Sequence, residues 1–306
     1  MQALRSFFSG RGLVIAVPFL FLIVFFLAPF LIVGKISVSA METVTFKDVV
    51  TYSEGVLQLT IKLGNYIFIT QDSLYFKTYL ASLQYAAATT VLCLFIGYPF
   101  AYFMARAKTT VQPVLLMLVM LPFWTSFLLR VYAWRGLLTE GGWVSDAIIG
   151  LGLDQVLYAM GLIATPGTLM HTPFSLVLGM TYTYLPFMIL PLYGNLVKMD
   201  LRLLEAAADL GATPFTAFWK ITVPLSKAGI IAGSMLVFIP CVGEFVIPEL
   251  LGGPETLMIG RVLWDEFFSN NDWPMASSVA VVMVLLIIVP LAIFNKYQAE
   301  SQEARK

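Results

Sequence analysis

Charge is scarce in this chain. Of its 306 residues only 12% are Asp, Glu, Lys or Arg, where a soluble domain carries about 25%. Histidine is rarer still, with His171 alone, and there are two cysteines. No G-x-x-x-x-G-K-[ST] phosphate loop occurs. Each shortage excludes something. A chain that is 59% apolar with so few charges is not an ordinary soluble domain. One histidine, outside the apolar runs and with no second His or Cys beside it, leaves no material for a metal centre or an intramembrane enzyme. Cys93 and Cys241 fall inside apolar runs, where buried inert thiols are the default and a disulfide or zinc site is not. Without a phosphate loop, any ATP-driven work has to be powered by another polypeptide.

What the chain does have is apolar length, with a mean hydropathy of +0.86. Six runs reach the roughly 20 residues that cross a bilayer: Leu13–Val33, Tyr79–Met104, Val114–Trp134, Pro173–Leu196, Ala228–Leu250 and Ala276–Phe294. The pattern predicts an all-α integral membrane protein, one transmembrane domain over 1–306. The first run follows Arg5 and Arg11 and precedes Ser37-Val38-Ser39-Ala40. It exceeds the about 7–15 residues of a secretory signal core, and is expected to remain as an anchor.

Net charge is zero but unevenly spread. With six spans and the N-terminus inside, the inner segments hold 11 of the 18 basic residues, Arg5, Arg305 and Lys306 among them, and 5 of the 18 acidic ones. Basic residues concentrate on the cytoplasmic side. Both termini are therefore expected inside, with loops 35–78, 135–172 and 251–275 outside and loop 198–227 inside.

In loop 35–78, Leu57, Leu59, Ile61 and Leu63 alternate with polar residues, and Gly64-Asn65 precedes a second β-prone run. That spacing predicts a small outer β-hairpin turning at Gly64-Asn65. A short helix is expected after Ser145, between Gly142 and Gly150. Pro99, Pro122, Pro186, Pro191, Pro240, Pro248 and Pro290 fall in the spans and suggest kinked helices, which membrane bundles tolerate. Gly229 and Gly233 are four apart, a spacing that lets two helix backbones approach closely.

The loop 198–227 carries the least ordinary stretch, EAAADLGATPFTAFWKITVPL from Glu205 to Leu225. Leu201 to Leu210 is helical by propensity, and Gly211 supplies a left-handed terminus. Thr213-Pro214 restarts the chain as N-cap and first helical residue. The second helix is expected to run to about Ile221 and to stop at Pro224. Glu205 and Asp209 share a face, where like charges mildly destabilise an isolated helix; a basic partner surface would reverse that. A helix lying on lipid would carry Lys and Arg there instead. A plain connecting loop is the remaining alternative.

Glu205-Ala206-Ala207, Gly211 six residues after the Glu, Ile221 ten further on and then Pro224-Leu225 together resemble the EAA loop of ABC-importer permease subunits. In that family the loop forms coupling helices that dock into a cleft on a separate ATPase. The resemblance thus implies docking roles for Glu205, Ala206, Ala207, Asp209, Gly211, Ile221 and Pro224. It extends over most of the chain. PFWTSFLLRVYAWRGLL from Pro122, GYPFAY from Gly97 and GSMLVFIPCVGEFVIPELLGG from Gly233 are similar to polyamine permeases of the PotB/PotH kind. MIGRVLWDEFF and NDWPMASS, which follow, bring the last part nearest to the putrescine member of that pair. The resemblance implies a non-catalytic subunit working with an ABC ATPase homodimer, a second permease subunit as heterodimer and an extracytoplasmic polyamine-binding protein. ATP and Mg would sit on the ATPase, with no cofactor in this chain and no nucleic acid partner.

A polyamine needs carboxylates for its ammonium ends and aromatic faces for cation–π contact. Glu244 lies 16 residues into the fifth run, about 24 Å along a helix, and an intramembrane acid is a functional candidate by default. Its alternative is a structural partner for Arg130, which could also simply reach the interface. Glu249 follows near the membrane boundary. Trp124, Tyr132, Trp134, Tyr182 and Tyr184 are pathway candidates or members of the interfacial aromatic belt, with Tyr182 and Tyr184 deeper than a belt needs. Asp265, Glu266 and Asp272 could meet the binding protein, attract cations or be merely solvated. The rival readings are an ABC permease for another solute and an ion-coupled secondary transporter, which would usually show inverted repeats.

Overall fold

A computed structural model describes residues 10–41, 50–53 and 56–303. Arg5, Arg305 and Lys306, which count in the charge bias, lie outside the described residues. Among the described residues, four helices are long and apolar enough to cross a membrane: Val14–Ser37, Ser73–Arg106, Pro173–Leu196 and Trp273–Ala292. Two bent helix pairs, Gln112–Trp124 with Phe127–Leu138 and Pro214–Leu225 with Lys227–Val242, bring the total to six if each counts as one span.

The chain divides into two compact units. The first takes residues 1–76 and 263–285. In it α1 (Gly10–Leu22) continues through a π-helical turn (Ile23–Leu27) into α2 (Ala28–Ser37). A two-stranded antiparallel ribbon pairs β1 (Val50–Ser53) with β2 (Val56–Leu59), in the register Val50 to Leu59. The hairpin expected at Gly64-Asn65 does not form, because Gly64 to Gln71 is helical (α3). Contacts with residues distant in sequence explain the difference. The Asn65 amide reaches the Ser39 carbonyl (3.4 Å), and the Tyr66 hydroxyl donates to Ser37 Oγ (2.8 Å). Those bonds anchor the segment to the end of α2, which propensity alone could not foresee. Near the other end of this unit, Ser278 Oγ donates to the Ser37 carbonyl (2.8 Å). Glu266 accepts from the Tyr75 hydroxyl (2.8 Å) and the Asn270 amide (2.9 Å). The Asp272 carboxylate caps the start of the last helix through Met275 N–H (2.9 Å).

The second unit takes residues 77–262 and 286–306. The unit boundaries fall inside α4 (Ser73–Arg106), α15 (Ile259–Trp264) and α16 (Trp273–Glu303). Then come α5 (Gln112–Met120) and a 3-10 turn (Leu121–Trp124). After these lie α6 (Phe127–Leu138), α7 (Trp143–Gly150) and α8 (Leu153–Ala159). The helix expected after Ser145 is α7. The third expected span is bent by 87° between Trp124 and Phe127. Pro122 starts that bend, since it has no N–H to continue the α-helical ladder. Within α4, α16 and the helices Pro173–Leu196 and Lys227–Val242 the prolines are accommodated without a break in the helix.

The core of this unit is α9 (Pro173–Leu196) against α13 (Lys227–Val242). Gly229 and Gly233 make that approach possible. A Cβ on Gly233 would sit 2.7 Å from Met188 Sδ and 3.1 Å from the Met188 carbonyl oxygen; one on Gly229 would be 2.9 Å from Asn195 Cβ. The fifth expected span ends early: α13 stops at Val242, and α14 (Val246–Leu251) starts beyond a break. The remaining element, α15 (Ile259–Trp264), follows a 3-10 turn at Pro254–Thr256. Cys93 and Cys241 are fully buried free thiols, and Cys93 Sγ points at the Thr181 carbonyl (3.6 Å).

Candidate functional sites: a helical bend and a broken span

The stretch from Arg202 to Leu225 is two helical pieces joined by a tight bend. In the first, α10 (Arg202–Asp209), Gly211 ends the helix at φ +82°. Gly211 N–H bonds the Ala208 carbonyl (2.9 Å) and Ala212 N–H the Ala207 carbonyl (2.9 Å), the paired closure of a Schellman terminus. Thr213 Oγ1 then accepts from Thr216 N–H (3.3 Å), capping α11 (Pro214–Ala217), with Pro214 in its first turn. The helical path does not stop at Ile221. It runs through a π-helical turn (Phe218–Thr222) into α12 (Val223–Leu225). Val223 N–H bonds the Phe218 carbonyl, five residues back. This wider turn accommodates Pro224, whose missing N–H would leave a gap in an α-helical ladder. The bend comes at Ser226, 65° from α13.

Of the expected docking residues, Glu205, Ala206, Asp209, Gly211 and Pro224 are exposed, Ile221 is half-buried and Ala207 is buried. Beside them Leu210 and Phe215 are 89% and 73% exposed. Both are large apolar groups on one short, capped element.

The second site is the break after α13. Glu244 does not lie within the helix but just past its end, 8% exposed. Its Oε1 accepts from the backbone N–H groups of Phe245 (3.1 Å), Val246 (3.0 Å) and Ile247 (3.4 Å). These are the donors that a helix start leaves without intrahelical partners. Its Oε2 accepts from the hydroxyl of Tyr184 on α9. Glu244 therefore supports the break itself, and Arg130 is not its partner. The Arg130 guanidinium lies over the rings of Phe123 (5.6 Å) and Phe127 (5.9 Å). Its Nε and Nη1 are buried with no hydrogen-bond partner among the described residues.

Ring contacts join the two charges. Phe123 meets Phe187 edge-on at 5.2 Å, and Phe187 lies 6.2 Å from Tyr184. Tyr184 and Phe187 line an apolar hollow of about 610 Å³ between α9 and α13. Tyr182, two residues from Tyr184 and so on another face of α9, packs against Trp134 at 5.3 Å. Trp124 and Tyr132 are 75% and 52% exposed. Glu249 is exposed and pairs with Arg261 Nε at 2.6 Å. His171, at φ +59°, ties its loop to the end of α14, with Nδ1 2.8 Å from the Gly252 carbonyl oxygen.

A family model described as binding-protein-dependent transport system inner membrane component matches residues 93–301. The chain belongs to that family. The spermidine/putrescine transport system permease protein PotB of Escherichia coli (strain K12) is 38% identical over 238 residues, covering 78% of this chain and 83% of that protein. PotB of Haemophilus influenzae (strain Rd) is 36% identical over 296 residues, covering 97% and 96%. A solved bacterial ABC transporter involved in import of the acidic polysaccharide alginate aligns with a TM-score of 0.62 at 17% identity, covering 95% of this chain and 99% of that one. That likeness is one of fold.

For this inner-membrane permease, sequence reasoning named Glu244, Tyr184 and Arg130 but not the phenylalanines that connect them. Phe123 and Phe187 are two of 24 phenylalanines, and no local signal separates them from the rest. The break was more accessible. Gly243 stands three residues after Pro240 and directly before a carboxylate, a pattern of helix end and restart.

Proposed function

We propose that the chain is one half of the translocation pathway of an ATP-driven polyamine importer, with putrescine as first substrate and spermidine as second. Sequence likeness to the PotB proteins carries this reading. The buried carboxylate of Glu244 supports it, since an acid kept in an apolar setting suits a cationic cargo. The apolar hollow beside Tyr184 suits the methylene chain between ammonium groups. Glu244 and Tyr184 are the pathway centre, with Glu249, Trp124, Tyr132 and Tyr182 along its approach. Arg130, at the other end of the aromatic row, is a fixed positive charge that directs ammonium ends towards Glu244.

Residues 1–306 act as a single permease domain, with both termini cytoplasmic and 35–78 outside. Segment 198–227 docks an ABC ATPase homodimer, through Glu205, Ala206, Ala207, Asp209, Gly211, Ile221 and Pro224. A second permease completes the pathway, and an extracytoplasmic binding protein delivers the polyamine. ATP and Mg belong to the ATPase, and this chain performs no catalysis. Fold alone does not choose the solute, so a permease for another small solute is the second reading. An ion-coupled secondary transporter ranks third.

The test is reconstitution of the chain with its operon neighbours in proteoliposomes. Putrescine and spermidine should stimulate ATP hydrolysis and compete for uptake, while sulfate should do neither. Competition by sulfate alone would support the second reading. Uptake by the purified chain without an ATPase would overturn the proposal.

A further inference from the structure

The Arg202–Leu225 element has an inner face as well as an exposed one. Phe218, at the start of its π-helical turn, is inserted between two tyrosines of α4. Its ring lies 5.6 Å from that of Tyr98 and 5.8 Å from that of Tyr102, edge-on to both. The Tyr98 hydroxyl shares a hydrogen bond with Ser226 Oγ (2.8 Å), at the bend that leads into α13. The Arg106 guanidinium lies 5.2 Å over the Tyr102 ring. Residues 98, 102 and 106 are four apart, so one stripe of α4 makes all these contacts.

Two routes lead out of the element. The covalent route enters α13 through a 65° bend at Ser226. The packed route passes through Phe218 into a continuous helix of 34 residues. Rings interlocked edge to face pass a displacement on, because close-packed interiors have low compressibility and transmit strain. Even the bend is tied to α4, through Tyr98.

We propose that Phe218 is the joint that passes movement of the docking element into α4, a positioning residue for transport with no contact to the cargo. This rests on the reading of 198–227 as the ATPase dock. The experiment uses the complete importer in proteoliposomes and measures three things: ATPase retained on purification, ATP hydrolysed, and polyamine taken up per ATP. Phe218→Ala should keep its ATPase and hydrolyse ATP, while uptake per ATP falls about tenfold. Phe218→Tyr, which keeps a ring, should recover most of the loss. Tyr102→Ala added to Phe218→Ala should cost little more, because the joint is already open.

Unchanged uptake per ATP in Phe218→Ala, with the ATPase bound, would overturn the joint. Failure of the unaltered chain to retain an ATPase would instead overturn the docking reading. Should Phe218→Ala fail to fold, Phe218→Leu and a Tyr102→Cys/Phe218→Cys pair decide. Phe218→Leu, which keeps bulk but no ring, should lose part of the uptake per ATP. The open cysteine pair should lose most of it, and closing the pair with a short bifunctional thiol reagent should restore it; no recovery on closure overturns the joint.

Discussion

The hydroxyl of Tyr184 donates to the carboxylate of Glu244, 60 residues further along the chain. The other oxygen of that carboxylate holds three backbone N–H groups at the start of α14. One acidic side chain thus stabilises a helix break and presents an anion beside an aromatic row. The two duties separate by substitution. Glu244→Gln keeps an acceptor for the N–H groups but removes the charge. Polyamine uptake should fall about tenfold or more, while assembly with the second permease stays normal. Glu244→Ala removes the acceptor too, at about 1–3 kcal/mol for the N–H groups left unsatisfied, and should also lower stability in detergent. Full uptake in Glu244→Gln would leave Glu244 a structural residue only.

Tyr184→Phe isolates the tyrosine. It deletes one hydrogen bond to a charged group, worth about 1.5–3 kcal/mol, and retains the ring against Phe187. A fall in maximal uptake with little change in half-saturation is expected, because the carboxylate loses its orientation rather than its charge. The measurement is initial uptake against polyamine concentration.

Glu249 differs from Glu244 by exposure. It is paired with Arg261 at 2.6 Å but faces solvent, where ion pairs contribute little. Glu249→Gln should therefore leave thermal stability unchanged. Its effect on uptake should be confined to low ionic strength and vanish near 0.5 M salt, where the Debye length is only about 4 Å. A salt-independent defect would place Glu249 in direct contact with the cargo.

Gly211 tests the docking element. Its φ of +82° is a region where a β-branched residue is a genuine outlier. Gly211→Val should uncouple ATP hydrolysis from transport, whereas Gly211→Asn, which tolerates the left-handed region, should transport almost normally. Normal uptake in Gly211→Val would count against the bend as a transmitting part.

Packing of α9 on α13 gives a stability prediction. Gly233→Val would press a Cβ towards the Met188 backbone oxygen at 3.1 Å, which cannot move aside as a flexible side chain does. A loss of about 1–3 kcal/mol is expected from such overpacking, read as a lower melting temperature in detergent. Gly194→Ala, with nothing within 4 Å of its Cβ, is the neutral control.

Six apolar runs were legible because length and apolarity are local properties, and the limits Pro173–Leu196 agree with α9 residue for residue. The left-handed Gly211 and the capping Thr213 were legible for the same reason: each acts within four residues of itself. The turn at Gly64-Asn65 misled, since distant bonds to Ser37 and Ser39 made that segment helical. Tertiary structure alone decided that Glu244 meets Tyr184 and backbone N–H groups instead of Arg130. It alone set Phe218 between Tyr98 and Tyr102. Hydropathy says which segments leave water, and says nothing about which of 24 phenylalanines will touch a given partner. That choice depends on how helices pack, where two small residues on α13 govern how near α9 comes.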